Sequence, residues 1–273
     1  MKRRLFCEIS PLTYKISLLK NRAIRHVKNS FIHSSFSVSK QTNKLPILVY
    51  KHNSLIRRKL GNVDLKLQDN KAVNLRLASE KITGVIINKN EVFSFWELVG
   101  KCSSSKGYLE GLLISKGCVS KGIGGGMCQL TNLIHWLVLH TPLDIIEHHH
   151  HDQIDLFKDY GRKVPFGTGT SIMYNYLDYR FVNKTDNVFQ LIIYTDEEYL
   201  HGEIRTDKPL NIKCHIKAED EFFSNEDGVI YRNGKVYRIC NDKDTGKTLS
   251  KELIKLNHAR VLYDTEGLDI KEI

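Results

Sequence analysis

A chain of 273 residues with 41% apolar content is long enough to bury a core in one large domain or two modest ones. Its formal charge of +10 is lopsided: residues 1–60 carry fourteen Lys or Arg against one acid, Glu8, a balance of +13 that leaves the rest of the chain at −3. A basic arm on a mildly acidic body suits an anionic surface; with no zinc finger or RNA-binding pattern, it excludes a nucleic-acid enzyme as the first reading.

The chain opens MKRRLF, like the charged start of a secretion signal, but Glu8, Tyr14, Lys15 and Lys20 break the apolar stretch that should follow. There is no run of about 18 apolar residues for a transmembrane helix. The expected place is therefore the cytoplasm, peripheral on a membrane through residues 1–33. The cysteines, Cys7, Cys102, Cys118, Cys128, Cys214 and Cys240, are irregularly spaced with no C-x-x-C pair. That spacing predicts a reduced compartment rather than a disulfide framework.

Leu12, Ile16, Leu19, Ala23, Val27 and Phe31 recur at spacings of three and four, with most of the cations off that stripe. This predicts an amphipathic basic helix over 10–31, either packed on the body or lying on a membrane surface. Residues 34–43 read as a linker. A second helix is expected over 70–83, a strand over 91–95, and a hairpin over 112–121 turning at Gly117. A helix over 128–140 ends at Thr141-Pro142. Strands are expected over 144–151, 171–182, 189–194 and 199–205. Asn233-Gly234 predicts the turn of a C-terminal hairpin.

The chemistry concentrates in GIGGGMCQLTN. Consecutive glycines disfavour helix and strand and permit positive φ or close backbone approach. Here Gly122, Gly124, Gly125 and Gly126, with Gln129, precede an apolar helix, so their amides form a candidate anion-binding or oxyanion loop. Cys128 at the helix start is a candidate nucleophile, its thiolate favoured by the helix dipole. Asn132, one turn on, is a supporting residue. His135 is seven residues on, about 10 Å of rise, and reads as a buried histidine satisfied by backbone.

The base must come from elsewhere. In a strand through EHHHH, His148 and His150 face one way and His149 and His151 the other. His148 and His150 are the candidate bases, with Asp178 as orienter and Asp144 and Asp155 as weaker choices. Two of these His with Glu147 or Cys128 would also suit zinc, but alternation on a strand splits the cluster. No metal or cofactor is expected.

The strings EVFSFWELVGKCSSSKGYLEGLLISKGCVSKGIGGGMCQLTNLIHW, DIIEHHHHDQIDLF and PFGTGTSIMYNYLDYRFVNKTD resemble the VanW family. The resemblance extends through most of the chain. It implies a role in vancomycin-type resistance and the cell envelope, with peptidoglycan or its precursor as partner. The order of glycine loop, Cys, His and Asp resembles thiol enzymes of the transglutaminase kind. Many relatives carry Asp where this chain has Gly169, so either Asp178 or Asn175 completes a triad in its place or there is no triad. The expected fold is α+β: a buried helix against a mostly antiparallel sheet, with a basic arm (1–44), a central domain (45–205) and a C-terminal β module (206–273). Two functions remain open, a cysteine-dependent amide or ester hydrolase or transferase, and a non-catalytic binder of a carboxylate or phosphate.

Overall fold

The computed structural model describes residues 5–57, 65–115, 118–150, 154–155, 158 and 164–273. In chain order the helices are α1 (Pro11–Phe31), α2 (Leu65–Ile82), α3 (Phe95–Val99) and α4 (Met127–Leu139). The strands are β1 (Ile47–Leu55), β2 (Ile86–Ile87), β3 (Val92–Ser94), β4 (Glu110–Ser115), β5 (Cys118–Ile123), β6 (Asp144–Glu147) and β7 (Ile154–Asp155). They continue as β8 (Arg180–Val182), β9 (Phe189–Thr195), β10 (Tyr199–Thr206), β11 (Ile212–Glu226), β12 (Val229–Asp242), β13 (Thr248–Val261) and β14 (Ile270–Glu272). The fold is α+β and mostly antiparallel. Among the described residues no helix is long and apolar enough to cross a membrane.

The core forms between α4, α2 and the sheet β1-β10-β9-β2. β9 is buried on both faces through Phe189–Ile193, and its Phe189, Leu191 and Ile193 join Leu200 and Ile204 of β10 on the side that faces the core. They meet Leu130, Ile134 and Leu137 of α4. Gly202 lets the helix come close: a Cβ there would lie 2.8 Å from Leu137 and 3.0 Å from Leu133. A small sheet, β3-β8-β6, carries the chain out of α4 toward the histidines.

Four sequence expectations change. The linker over 34–43 is laid into the body: Phe36 and Ser37 are buried, Ser37 N donates to Val92 O at 2.9 Å, and Gln41 N donates to Gly84 O at 2.9 Å. The expected strand over 171–182 is a strand only at Arg180–Val182. It begins as a turn in which Asn175 takes φ 49° and Met173 N donates to Leu177 O. In the C-terminal hairpin the turn is Asp227-Gly228, both with positive φ, while Asn233-Gly234 sits inside β12 opposite an irregularity between Glu219 and Phe222. Both dipeptides satisfy the same turn preference, so composition alone does not choose between them. The hairpin turn at Gly117 lies outside the described residues.

Fourth, Cys214 and Cys240 form a disulfide. They lie directly opposite each other on β11 and β12, a pairing that only strand register reveals. The C-terminal sheet, β14-β11-β12-β13-β7, is also tied to the body. β7 pairs parallel with β13, Arg238 donates to the Thr141 carbonyl, and Asp155 faces Arg232 and Tyr263.

Candidate functional site

The glycine run is required by its surroundings. Gly124 and Gly126 have φ of 80° and 102°. At Gly125 a Cβ would sit 2.3 Å from the Gly111 backbone, so the loop and β4 touch main chain to main chain. Asn74 of α2 fixes that contact, donating from Nδ2 to Gly125 O at 2.9 Å and to Leu109 O at 3.0 Å. Gly122 belongs to β5, paired with Gly111. Gly126 caps α4 with no side-chain hydrogen bond, so the first-turn amides of Met127 and Cys128 have no carbonyl within their own helix. Gln129 turns away from the loop: its Nε2 donates to Ser54 Oγ at 2.9 Å and Leu55 O at 2.8 Å, stapling α4 to β1.

Cys128 is half-buried as a residue, but its thiol is enclosed by protein. Burial pushes the thiol pKa up, opposed by a hydrogen bond from the Ile172 amide. This corrects the expectation of a depressed thiol. A helix terminus contributes only about 0.3–1 kcal/mol at exposed positions, less than the desolvation of an enclosed thiolate.

The segment Gly169–Ile172 joins the helix start to the histidines. At one end lies the Ile172 amide on Cys128. Thr170 donates from N and Oγ1 to Asn132 Oδ1 at 2.6 and 2.8 Å, and its hydroxyl also meets Thr131. Ser171 N donates to His149 O at 2.6 Å. At the other end, His148 Nε2 donates to Gly169 O at 3.2 Å, which leaves Nδ1 as the basic nitrogen. Gly169 itself has room: the nearest atom a Cβ would meet is Asn132 Oδ1 at 4.0 Å.

The described histidines lie beyond the end of β6, at Glu147, in irregular chain rather than in a strand. His148 and His150 still sit together, ring centroids 4.1 Å apart, and His148 packs on His135 at 4.1 Å. His151 lies outside the described residues. His135 is fully buried and bonds not to backbone but to Tyr179, Nδ1 to the hydroxyl at 3.0 Å. Burial first, then His148 and His150, hold His135 far below the ordinary imidazole range. Burial, with His150, pulls His148 down to about 3. Both rings are therefore neutral at pH 7. Among the described residues no group of three His, Cys, Asp or Glu is disposed to hold a metal ion.

Asp178 is taken up elsewhere. Its carboxylate accepts from Ser94 Oγ at 2.6 Å, Trp96 N at 3.1 Å, Tyr179 N at 2.9 Å and Arg180 Nε at 2.7 Å. Asp144 pairs with Lys184 at 3.0 Å. The acid beside the histidines is Glu147. It takes a two-pronged contact from Arg25 of α1 at 2.5 and 2.6 Å, the Asp178 amide at 2.9 Å and His149 Nε2 at 3.1 Å. Burial alone would raise this carboxyl; Arg25, the Asp178 amide and His149 outweigh it and hold it below the usual carboxylate range.

The family model described as "VanW like protein" matches residues 70–205, from α2 through the glycine loop and histidines to the end of β10. The vancomycin B-type resistance protein VanW of Enterococcus faecalis is 31% identical over 229 residues, 84% of this chain and 83% of that protein. This chain belongs to the VanW family. An uncharacterized protein of Bacillus subtilis, YoaR, is 31% identical over 111 residues, 41% of this chain and 35% of its own length. No solved structure matches.

Sequence reasoning singled out Cys128 and the histidines but missed what surrounds them in this VanW-family chain. Tyr179, Ser171 and Ile172 come from positions that read as an ordinary strand, and Thr170 from just before it. Arg238, a charge near His135, arrives from the C-terminal sheet and left no local signal. Tyr179 was findable in principle, as an apolar ring with a hydroxyl that must find a partner when buried.

Proposed function

We propose that this VanW-family chain is an accessory protein of vancomycin-type resistance acting at the cell envelope, with Cys128 as the nucleophile of an amide or ester hydrolase or acyl transferase on cell-wall material. The resistance role rests on the printed name of the E. faecalis relative. The chemistry rests on one observation. Cys128, in the first turn of a buried helix, shares the Gly169–Ile172 segment with His148, whose Nδ1 is the basic nitrogen.

In this reading the Cys128 sulfur attacks an acyl carbonyl and its proton passes to His148. The oxyanion is received by the amides behind Gly126, the leaving amine or alcohol departs with the proton, and water or a second amine resolves the thioester. Burial keeps thiol and imidazole neutral at rest. Proton transfer must then accompany attack rather than precede it. His150 supports His148 by ring contact. Asp178 and Asn132 act at a distance, holding the Tyr179 and Thr170 backbones.

A second reading is a non-catalytic envelope protein that binds a carboxylate or phosphate at the loop. The enclosed thiol with its raised pKa favours it. The two separate on Cys128→Ala and Cys128→Ser, assayed for vancomycin susceptibility of a host that depends on the protein. A second readout is intact-mass detection of an acyl adduct after incubation with stem-peptide fragments. The enzyme predicts loss of both readouts in both variants with the fold retained. Full function in Cys128→Ala overturns it.

The Cys214–Cys240 disulfide favours an oxidising compartment over the cytoplasmic side expected from the sequence.

A further inference from the structure

α1 is docked the opposite way from an ordinary surface helix. None of its residues is buried. Its contacts with the body are polar. Arg22 Nε donates to Tyr174 O at 3.1 Å, Arg25 grips Glu147 and donates to Tyr176 O at 2.9 Å, and Asn29 accepts from Arg180 at 2.8 Å. Asn175 returns a bond to Arg22 O at 3.2 Å. The apolar stripe lies on the other side of the helix, facing out: Leu12, Leu19 and Phe31 are 66%, 65% and 86% exposed, with Ile16 and Val27 between them. Lys15, Lys20 and Lys28 flank that stripe and are exposed, and between Glu8 and Asp64 the sequence holds no acid.

We propose that α1 is a membrane-surface helix, held on the body by its arginines and presenting its apolar stripe and lysines to an anionic phospholipid bilayer. The charge pattern chooses this occupant. A second copy laid on the stripe would set Lys15, Lys20 and Lys28 against their own counterparts with no acid on either helix to answer them. Anionic headgroups answer all three, while the stripe enters the headgroup–acyl boundary. The docking also positions the body. Arg25 binds Glu147, the residue before His148, so the bilayer would lie about one helix diameter, ~10–12 Å, from the histidine segment. The inference does not depend on Cys128 being a nucleophile.

Co-flotation of the full-length protein with vesicles tests it, phosphatidylglycerol–phosphatidylcholine against phosphatidylcholine alone, at low and high salt. The expected result is binding to the anionic vesicles, weakened at least tenfold by high salt. Leu19→Glu with Phe31→Glu should abolish binding with an unchanged circular dichroism spectrum, because both side chains already face out. Lys15→Glu with Lys20→Glu should weaken it selectively on anionic vesicles. Equal flotation by wild type and the Leu19/Phe31 variant overturns the proposal, as does no flotation at all. So does a wild-type dimer that the Leu19/Phe31 variant breaks without any lipid binding by either form; that result would give the stripe to a second copy.

Discussion

α1 and α4 carry the same mark in the sequence, apolar residues spaced by three and four, and end in opposite places. α4 buries ten of its thirteen residues; α1 buries none of its 21. Periodicity says that a helix forms and which side chains share a stripe. Which side docks is decided by whether the polar residues find partners. On α1 they do: Tyr174 O and Tyr176 O in the turn before β8, and Glu147 at the end of β6, are fixed acceptors that hold the arginine side down. On α4 the polar residues are few and turn inward: Thr131 and Asn132 pair with Thr170 and His135 Nδ1 with Tyr179, while His135 Nε2 and Trp136 Nε1 are buried without a hydrogen-bond partner among the described residues. The remaining surface is apolar and is buried on the sheet.

The sharpest way to break this contrast is the same substitution on each helix. Leu137→Ala removes a fully buried side chain and should cost about 2–5 kcal/mol in urea unfolding. Leu19→Ala removes an exposed one and should stay within about 0.5 kcal/mol. Similar losses at the two sites would mean that α1 packs through its stripe.

The order and type of the main elements were legible because they follow local pattern: the helix after the glycines, the β9–β10 hairpin, the basic helix itself. What was not legible depends on partners far away in sequence. The 34–43 stretch is polar enough for a linker, yet Phe36 and Ser37 find β3. Residues 171–177 alternate like a strand, yet α1 holds them as a turn. The disulfide needs strand register, and Gln129 faces β1 although it follows closely on the glycine loop in sequence. Cys128 and His148 were readable as residue types, but the protonation of each follows from burial, which no spacing reveals.

A smaller effect isolates the arginine contact. Arg25 and Glu147 are 22% and 15% exposed at the side chain, partly but not wholly shielded. Arg25→Ala leaves Glu147 with the Asp178 amide, His149 and the more distant Arg180 at 3.6 Å, and should cost about 1–3 kcal/mol of the docking of α1. The readout is limited trypsin digestion within α1, faster in the variant while the core remains intact. The pH dependence has a definite sign. Glu147 is held below its reference value of 4.5, so its contribution is fully present above that pH and fades as pH falls below it. Acidification through that range should release α1 in wild type and change little further in Arg25→Ala. An α1 equally protected in both proteins at every pH would remove Arg25 as the clasp.

The smallest effect in free energy is at the start of α4, where the two forces on one thiol oppose each other. The helix terminus and the Ile172 amide favour the Cys128 thiolate; burial disfavours it, and burial is the larger. Native Cys128 should therefore alkylate with iodoacetamide more slowly than the same residue in urea, and its rate should keep climbing with pH past the reference value of 9.0 rather than level off below it. Peptide mass spectrometry on timed samples reads each cysteine separately. Ile172→Pro deletes one of the two amide donors to the sulfur, the other being the amide of Cys128 itself, and should slow native Cys128 further if the chain still folds. Thr170→Ala, which removes a hydroxyl holding the same segment to Asn132, is the milder check and should shift the rate toward its unfolded value. Rapid alkylation of the native protein at pH 6–7 would reverse the order of the two forces. It would mean that the glycine loop and helix terminus prevail over burial, and that the resting enzyme already holds a thiolate.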